Sequence, residues 1–200
     1  MKDCLLSTTV RWLAGASVRW LGCEPIERQR IYFANHTSNL DALVLWTALP
    51  DALRRITRPV AAHDYWTATR LRKYIAENIF KAVLIERTKV TRKNNPIALM
   101  SAALQQKASL ILFPEGGRCA GPEIGPFKGG LYHLACECPD VELVPVHIDN
   151  MNRILPKGEV LPVPLLSCIS FGAPLHLQSG EPKPEFLRRA RFAVEQLHDL

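Results

Sequence analysis

No stretch of the 200 residues approaches the roughly 18 consecutive apolar residues of a membrane-spanning helix, so no such span is expected. A secretory signal is also missing. Lys2 and Asp3 lead into an apolar stretch that Arg11 breaks, and no small-residue cleavage site follows. Cysteine is sparse. Cys4, Cys23, Cys119, Cys136, Cys138 and Cys168 are too few and too scattered for a disulfide scaffold at this length, which points to reduced thiols in a cytoplasmic setting. Metal-ligand spacing is absent too. His63-Asp64 is a bare pair, and His133, Cys136 and Cys138 lack a fourth ligand, so no metal and no resident cofactor are expected. There is no internal repeat and no low-complexity segment.

What is present is a globular composition, 48% apolar and 22% charged, at a length that suits one domain with a real core. Acids are outnumbered, leaving a net charge of +6 that favours anionic partners: membrane lipid, phosphate-bearing substrates or nucleic acid. No nucleic-acid motif accompanies Arg70, Arg72 and Lys73 with their neighbours Tyr65, Trp66 and Tyr74, so no nucleic-acid partner is expected. A basic, aromatic helix suits lipid headgroups equally well.

Residues 4–21 place Leu6, Val10, Leu13, Ser17, Trp20 and Leu21 on one helical stripe, with Arg11 and Arg19 on another face. This predicts an amphipathic helix over residues 1–22, lying in a membrane interface or packed on the core. From residue 31 strands and helices alternate. Strands are expected at 31–35, 56–62, 82–87, 109–115, 141–148 and 165–172, and helices at 41–49, 65–80, 96–107, 129–137 and 184–200. The alternation predicts an α/β fold, a mixed sheet covered by helices, over residues 23–200. The Pro-rich stretch 155–164 is a loop or edge segment, and Pro145 within its strand predicts an edge position or a bulge.

Three places carry candidate chemistry. In Asn-His-Thr-Ser-Asn-Leu-Asp (35–41), His36 and Asp41 stand at a strand-to-helix junction. On one continuous helix they would diverge by about 140°. With Ser38 as N-cap and Asp41 at the third helical position, the carboxylate points back to the histidine. A carboxylate on one imidazole nitrogen fixes the tautomer and frees the other nitrogen to take a proton. The plainer alternative is a helix cap beside a polar loop histidine. In Phe-Pro-Glu-Gly-Gly-Arg (113–118), a strand runs into a glycine turn with an arginine fork, a candidate anion site to which Lys128 adds a charge. At 83–88 a strand ends in Glu86-Arg87, which matters only if that end is shared with His36 and Arg118.

Taken in chain order, residues 35–41, then Ile85-Glu86-Arg87, then 113–118, followed by Val144-Pro145-Val146, resemble the four sequence blocks of the glycerolipid acyltransferase family, in its bacterial 1-acyl-glycerol-3-phosphate acyltransferase type. The resemblance spans roughly residues 30 to 150. It implies that His36 is the catalytic base and Asp41 its partner. It implies acceptor binding by Arg87, Glu115, Gly116 and Arg118, the arginines holding a phosphate, and Gly117 and Lys128 of the same connection are expected to bind with them. It further implies an acyl thioester donor (acyl-CoA or acyl carrier protein), a lysophospholipid acceptor, and peripheral or monotopic attachment at the cytoplasmic face of the inner membrane. The chain departs from the pattern at Gly117 and Cys119, where the family commonly has Thr and Ser, and at Glu86, where Asp is common. These departures keep open another lyso-lipid or an amino-acid lipid as acceptor. A lipid-binding protein without turnover is the reading from another class.

Overall fold

The computed structural model describes residues 17–86, 91, 94–118, 123–149 and 168–198. Seven strands form one sheet: β1 (Ser17–Trp20), β2 (Arg30–Ala34), β3 (Thr57–Ala62), β4 (Val83–Ile85), β5 (Ser109–Leu112), β6 (Glu142–Asp149) and β7 (Cys168–Phe171), in the order β1-β7-β6-β2-β5-β3-β4. The five strands from β6 to β4 run parallel, β7 runs against β6, and β1 follows β7. Helices α1 (Asp41–Ala48), α2 (Asp51–Ile56), α3 (His63–Trp66), α4 (Arg70–Tyr74), α5 (Pro96–Gln105), α6 (Gly130–Glu137) and α7 (Lys183–Glu195) cover it. The mixed, helix-covered α/β sheet is the one expected.

All five residues of β2 are buried. Ile31 and Phe33 pack under α5, α6 and α7, while Tyr32 and Ala34 pack under α1 and α2. A parallel strand covered on both faces needs apolar side chains in both directions, hence a run rather than an alternation. Because β6, β2, β5, β3 and β4 point the same way, their carboxyl ends open along one rim of the sheet, the usual place for a site in such folds.

The expected N-terminal helix is corrected where the structure reaches it. Residues 17–20 are β1, paired with β7 from Ser17↔Cys168 to Trp20↔Phe171. Val18 and Trp20 turn inward, and Trp20 stacks on Phe171 with centroids 3.9 Å apart. A period of two across an aromatic stack competed with the helical stripe and won. The rest of that stretch, residues 1–16, lies outside the described residues, as does the Pro-rich segment 155–164. The single helix expected over 65–80 is α3, then α4, capped by the Thr69 side chain, then a π-helical turn (Ile75–Ile79).

Pro145 is not on an edge strand. It sits in β6 between β2 and β7, opposite Phe33. Its carbonyl accepts from Gly172 N–H at 2.9 Å, and the bond a proline cannot return falls just past the end of β7. Gly172 leaves room for the ring, since a Cβ there would come within 3.1 Å of Pro145 Cγ. The irregularity is on the partner segment, which needs three residues from Gly172 to Leu175 where β6 needs two from Leu143 to Pro145.

At the opposite end of the same strands, Arg30 faces Glu142 and donates from Nε at 2.9 Å. Arg28 binds the other carboxylate oxygen. Burial pushes the Glu142 carboxyl up, but the hydrogen bonds from Arg30 and Arg28 outweigh it and hold the group below its ordinary value. Glu142→Gln strands the Arg30 charge, whose side chain is 3% exposed. It should cost about 3 kcal/mol at neutral pH. The folded pKa is depressed, so this contribution is fully present above the unfolded value and is lost as pH falls through the folded one. Urea melts at pH 7 and pH 3 check both parts: the wild-type advantage should shrink at pH 3. An equal gap at both values would place the stabilisation elsewhere.

Candidate active site

His36 leaves the carboxyl end of β2 and Asp41 opens α1. Their side chains meet, with Nδ1 2.9 Å from Asp41 Oδ2. The same oxygen accepts the backbone N–H groups of Thr37 at 2.7 Å and Ser38 at 2.8 Å. Asp41 thus binds the loop that precedes its helix. Ser38 is not the N-cap: the helix follows Leu40, and the Ser38 hydroxyl accepts from Leu40 N–H at 3.3 Å. Asp41 is fully buried, and its Oδ1 has no hydrogen-bond partner among the described residues. With Nδ1–H directed at a buried carboxylate, Nε2 is the basic nitrogen. The imidazole is 22% exposed and stacks on Phe113 at 4.3 Å, so one face is fixed and the outer edge is reachable.

Phe113–Arg118 leaves β5, the neighbour of β2. Gly116 N–H closes a turn onto Phe113 C=O at 3.0 Å. Gly116 has φ +69°, and a Cβ there would lie 2.6 Å from Lys128 Nζ. The positive φ is what favours glycine here, since the Lys128 tip could swing aside. The same distance puts the Lys128 ammonium over the turn. Gly117 is open toward the described residues: a Cβ there would meet none of them within 4 Å.

Arg118 lines one cavity with His36, Asn39, Phe113, Gly117 and Trp66. Ala61 and Ala62 at the end of β3 form its apolar wall. Ile85, at the end of β4, lines an adjoining space with His36 and Gly117. The strand end that carries Glu86-Arg87 is therefore shared with the histidine. Arg87 itself lies outside the described residues, and Glu86 pairs with His63 at 3.2 Å.

Glu115 engages the protein's own backbone with both carboxylate oxygens. Its Oε1 accepts from His36 N–H at 2.7 Å and its Oε2 from Gly125 N–H at 2.9 Å, with the residue buried. It ties the histidine loop to the stretch before Lys128. Sequence reasoning also passed over Asn35. Its amide nitrogen donates to Ile148 C=O at 2.9 Å and its oxygen accepts Ile148 N–H at 2.8 Å, locking the end of β2 to β6. The available signal was a polar residue placed directly after an apolar strand.

A general base oriented by a buried acid, beside a guanidinium and a glycine turn, is equipped to deprotonate a hydroxyl held by an anionic group. The family model described as Acyltransferase matches residues 12–149. The chain belongs to the acyltransferase family. Within it, the chain is 28% identical over 170 residues to the 1-acyl-sn-glycerol-3-phosphate acyltransferase of Limnanthes alba, covering 80% of this chain and 56% of that protein. To the mouse 1-acyl-sn-glycerol-3-phosphate acyltransferase alpha it is 29% identical over 163 residues, 78% and 53% of the two chains. To the Escherichia coli K12 1-acyl-sn-glycerol-3-phosphate acyltransferase it is 26% identical over 137 residues, 62% and 51%. The chain thus spans about half the length of these curated relatives. The crystal structure of the 1-acyl-sn-glycerophosphate (LPA) acyltransferase from Thermotoga maritima superposes with a TM-score of 0.75 at 18% identity, over 100% of this chain and 78% of that one, which shows a shared acyltransferase fold.

Proposed function

We propose that this acyltransferase moves a fatty acyl group from a thioester to the free hydroxyl of 1-acyl-glycerol-3-phosphate, giving phosphatidic acid. One observation carries the reading: His36, oriented by buried Asp41, shares a cavity with Arg118 at the carboxyl ends of parallel strands. His36 Nε2 takes the hydroxyl proton as the oxygen attacks the thioester carbonyl. The tetrahedral intermediate then expels the thiolate, which takes that proton from the imidazolium. Asp41 stabilises the imidazolium between the two steps. Arg118 and Arg87 hold the acceptor phosphate, and Lys128 adds charge above the turn. The cavity holds about 160 Å³. That is below the roughly 300–1,000 Å³ of a typical ligand pocket, so it takes the reacting centre and not a whole lipid.

The test is a panel of lyso-lipid acceptors with a labelled acyl donor. Transfer to lysophosphatidic acid is expected. Arg118→Ala should raise the KM for that acceptor about tenfold or more, the loss of a charge-assisted contact, and leave the donor KM in place. Arg118→Lys should not fully rescue, because an ammonium lacks the planar fork. A rise confined to the donor KM would reassign the arginine. Preference for another lyso-lipid or an amino-acid lipid would fit the hydroxyl-free Gly117. No transfer to any acceptor would leave a lipid-binding protein.

The substrates lie in a bilayer, and we assign the enzyme to its surface, peripherally and on the cytoplasmic face of the inner membrane. Among the described residues no helix is long and apolar enough to cross it. Residues 63–74, covering α3 and α4, contain no buried residue, and Leu71 and Tyr74 are 69% and 56% exposed beside Arg70, Arg72 and Lys73. Tyr65 and Trp66 of the same segment line the catalytic cavity. An apolar tip ringed by cations suits anionic headgroups. Leu71→Glu with Tyr74→Glu should reduce co-sedimentation with phosphatidylglycerol vesicles several-fold, about 1 kcal/mol or more. Undiminished binding would move the contact to another surface.

A further inference from the structure

The catalytic cavity has a neighbour. Beyond Phe80, a second cavity of about 450 Å³ opens between α1, α2, the start of β3 and the end of the π-helical turn. Phe80 lines both spaces, and its ring packs edge-on against Trp46 at 5.1 Å and Trp66 at 6.0 Å. The two spaces follow β3. Ala61 and Ala62 line the catalytic one, Thr57 and Arg58 the other. At about 3.3 Å per residue, these ends lie on the order of 13 Å apart.

Four cations converge on the second cavity: Arg54, Arg55, Arg58 and Lys81. Among the described residues Asp51 is the one acid lining it, so three positive charges are in surplus there. Arg54 is built in. Its side chain is 8% exposed, Nη2 donates to Leu49 C=O at 3.1 Å and to Asp51 at 2.6 Å, and its Nε has no acceptor among the described residues. Lys81 is held at φ +47°, a conformation that L residues rarely adopt. Backbone of that kind persists where its surroundings over-determine it and clusters at ligand sites. Like charges gathered in one concavity repel each other unless an anion joins them.

We propose that this cavity binds the phosphorylated nucleotide end of a coenzyme A thioester, with the pantetheine arm passing Phe80 to bring the thioester carbonyl to His36. The proposal rests on the acyl-transfer reading above. An acyl chain does not suit a wall of three arginines and a lysine. A carrier protein offers one phosphodiester charge at the root of its arm. The nucleotide offers a diphosphate and a 3′-phosphate monoester, which match the surplus. The span along β3 is within the reach of a pantetheine arm, and the arginine forks suit phosphate oxygens.

The probe is adenosine 3′,5′-bisphosphate, which carries phosphates but neither arm nor thioester. By calorimetry the wild type should bind it, and Arg55→Ala/Arg58→Ala should weaken binding by about tenfold per arginine, one charge-assisted hydrogen bond each. In the same variant the KM for an acyl coenzyme A should rise with kcat unchanged. The acyl thioester of N-acetylcysteamine ends before the phosphates, and both its constants should match wild type. A damaged fold would lower activity on both donors. Equal bisphosphate binding in wild type and variant overturns the proposal. So does loss of phosphatidylglycerol-vesicle binding with no change toward the bisphosphate, which would make the cavity a lipid-headgroup site. If wild type turns over no donor while bisphosphate binding still depends on the two arginines, the site stands and the acyl-transfer reading falls.

Discussion

His36→Ala should lower the rate of acyl transfer by about 10²–10⁴, the usual contribution of a positioned general base. The loss should appear in kcat, with the KM for lysophosphatidic acid nearly unchanged, because the imidazole acts on the hydroxyl proton while Arg118 holds the phosphate. Folding should survive. The ring is 22% exposed, and its recorded partners are Phe113 and Asp41. When it is removed, Asp41 Oδ2 keeps the N–H groups of Thr37 and Ser38, so the loop remains tied. Steady-state turnover with a labelled donor, together with a urea melt, measures both. Wild-type turnover in a folded variant would assign proton removal to another group.

Asp41→Asn should match that loss in kcat, on the order of 10²–10⁴, the scale seen when a triad carboxylate becomes an amide. The reason is electrical. An asparagine oxygen in the Oδ2 position can still accept the three N–H groups, but it carries no charge to stabilise an imidazolium. The amide nitrogen would then occupy the Oδ1 position, which has no partner among the described residues. If the amide turns over, its nitrogen donates to His36 Nδ1 and forces the proton onto Nε2, which removes the base. Either arrangement buries an unsatisfied polar group, so stability should fall by about 1–3 kcal/mol. The pair of variants separates two roles. His36→Ala should affect rate alone, and Asp41→Asn both rate and stability. Reduced stability with normal turnover would make Asp41 a helix cap and nothing more.

The alternating elements were legible because a sheet covered on both faces demands apolar runs, and β2, β5 and β6 supply them. The His36–Asp41 pair was legible because both residues sit within one junction. Its geometry was right for an inexact reason: the carboxylate ties the loop, and Ser38 is not the cap. Residues 17–20 were misread because Ser17, Trp20 and Leu21 fit a helical stripe, and the competing partner, Phe171, lies 151 positions beyond Trp20. The long-range bonds of Glu115 and Asn35 went unforeseen for the same cause. Glu115 binds His36 across 79 positions and Asn35 binds Ile148 across 113. Such bonds leave no trace in local periodicity. Pro145 read as an edge position or a bulge because the gap that admits it belongs to Gly172, just past the end of β7.

The two hydrogen bonds of Glu115 constrain how such a site can diverge. One carboxylate pins the amide of the base and the amide of Gly125, three residues before Lys128. The base, the arginine turn and the lysine stretch therefore share a hinge pin. Remodelling any of these loops to suit a new headgroup would drag the imidazole with it. Substrate preference can drift without loss of rate only through side chains that stand clear of the pin. Gly117 is such a place, open to the cavity and ordinary in backbone conformation. An exchange there redecorates the wall and leaves the machinery where it was.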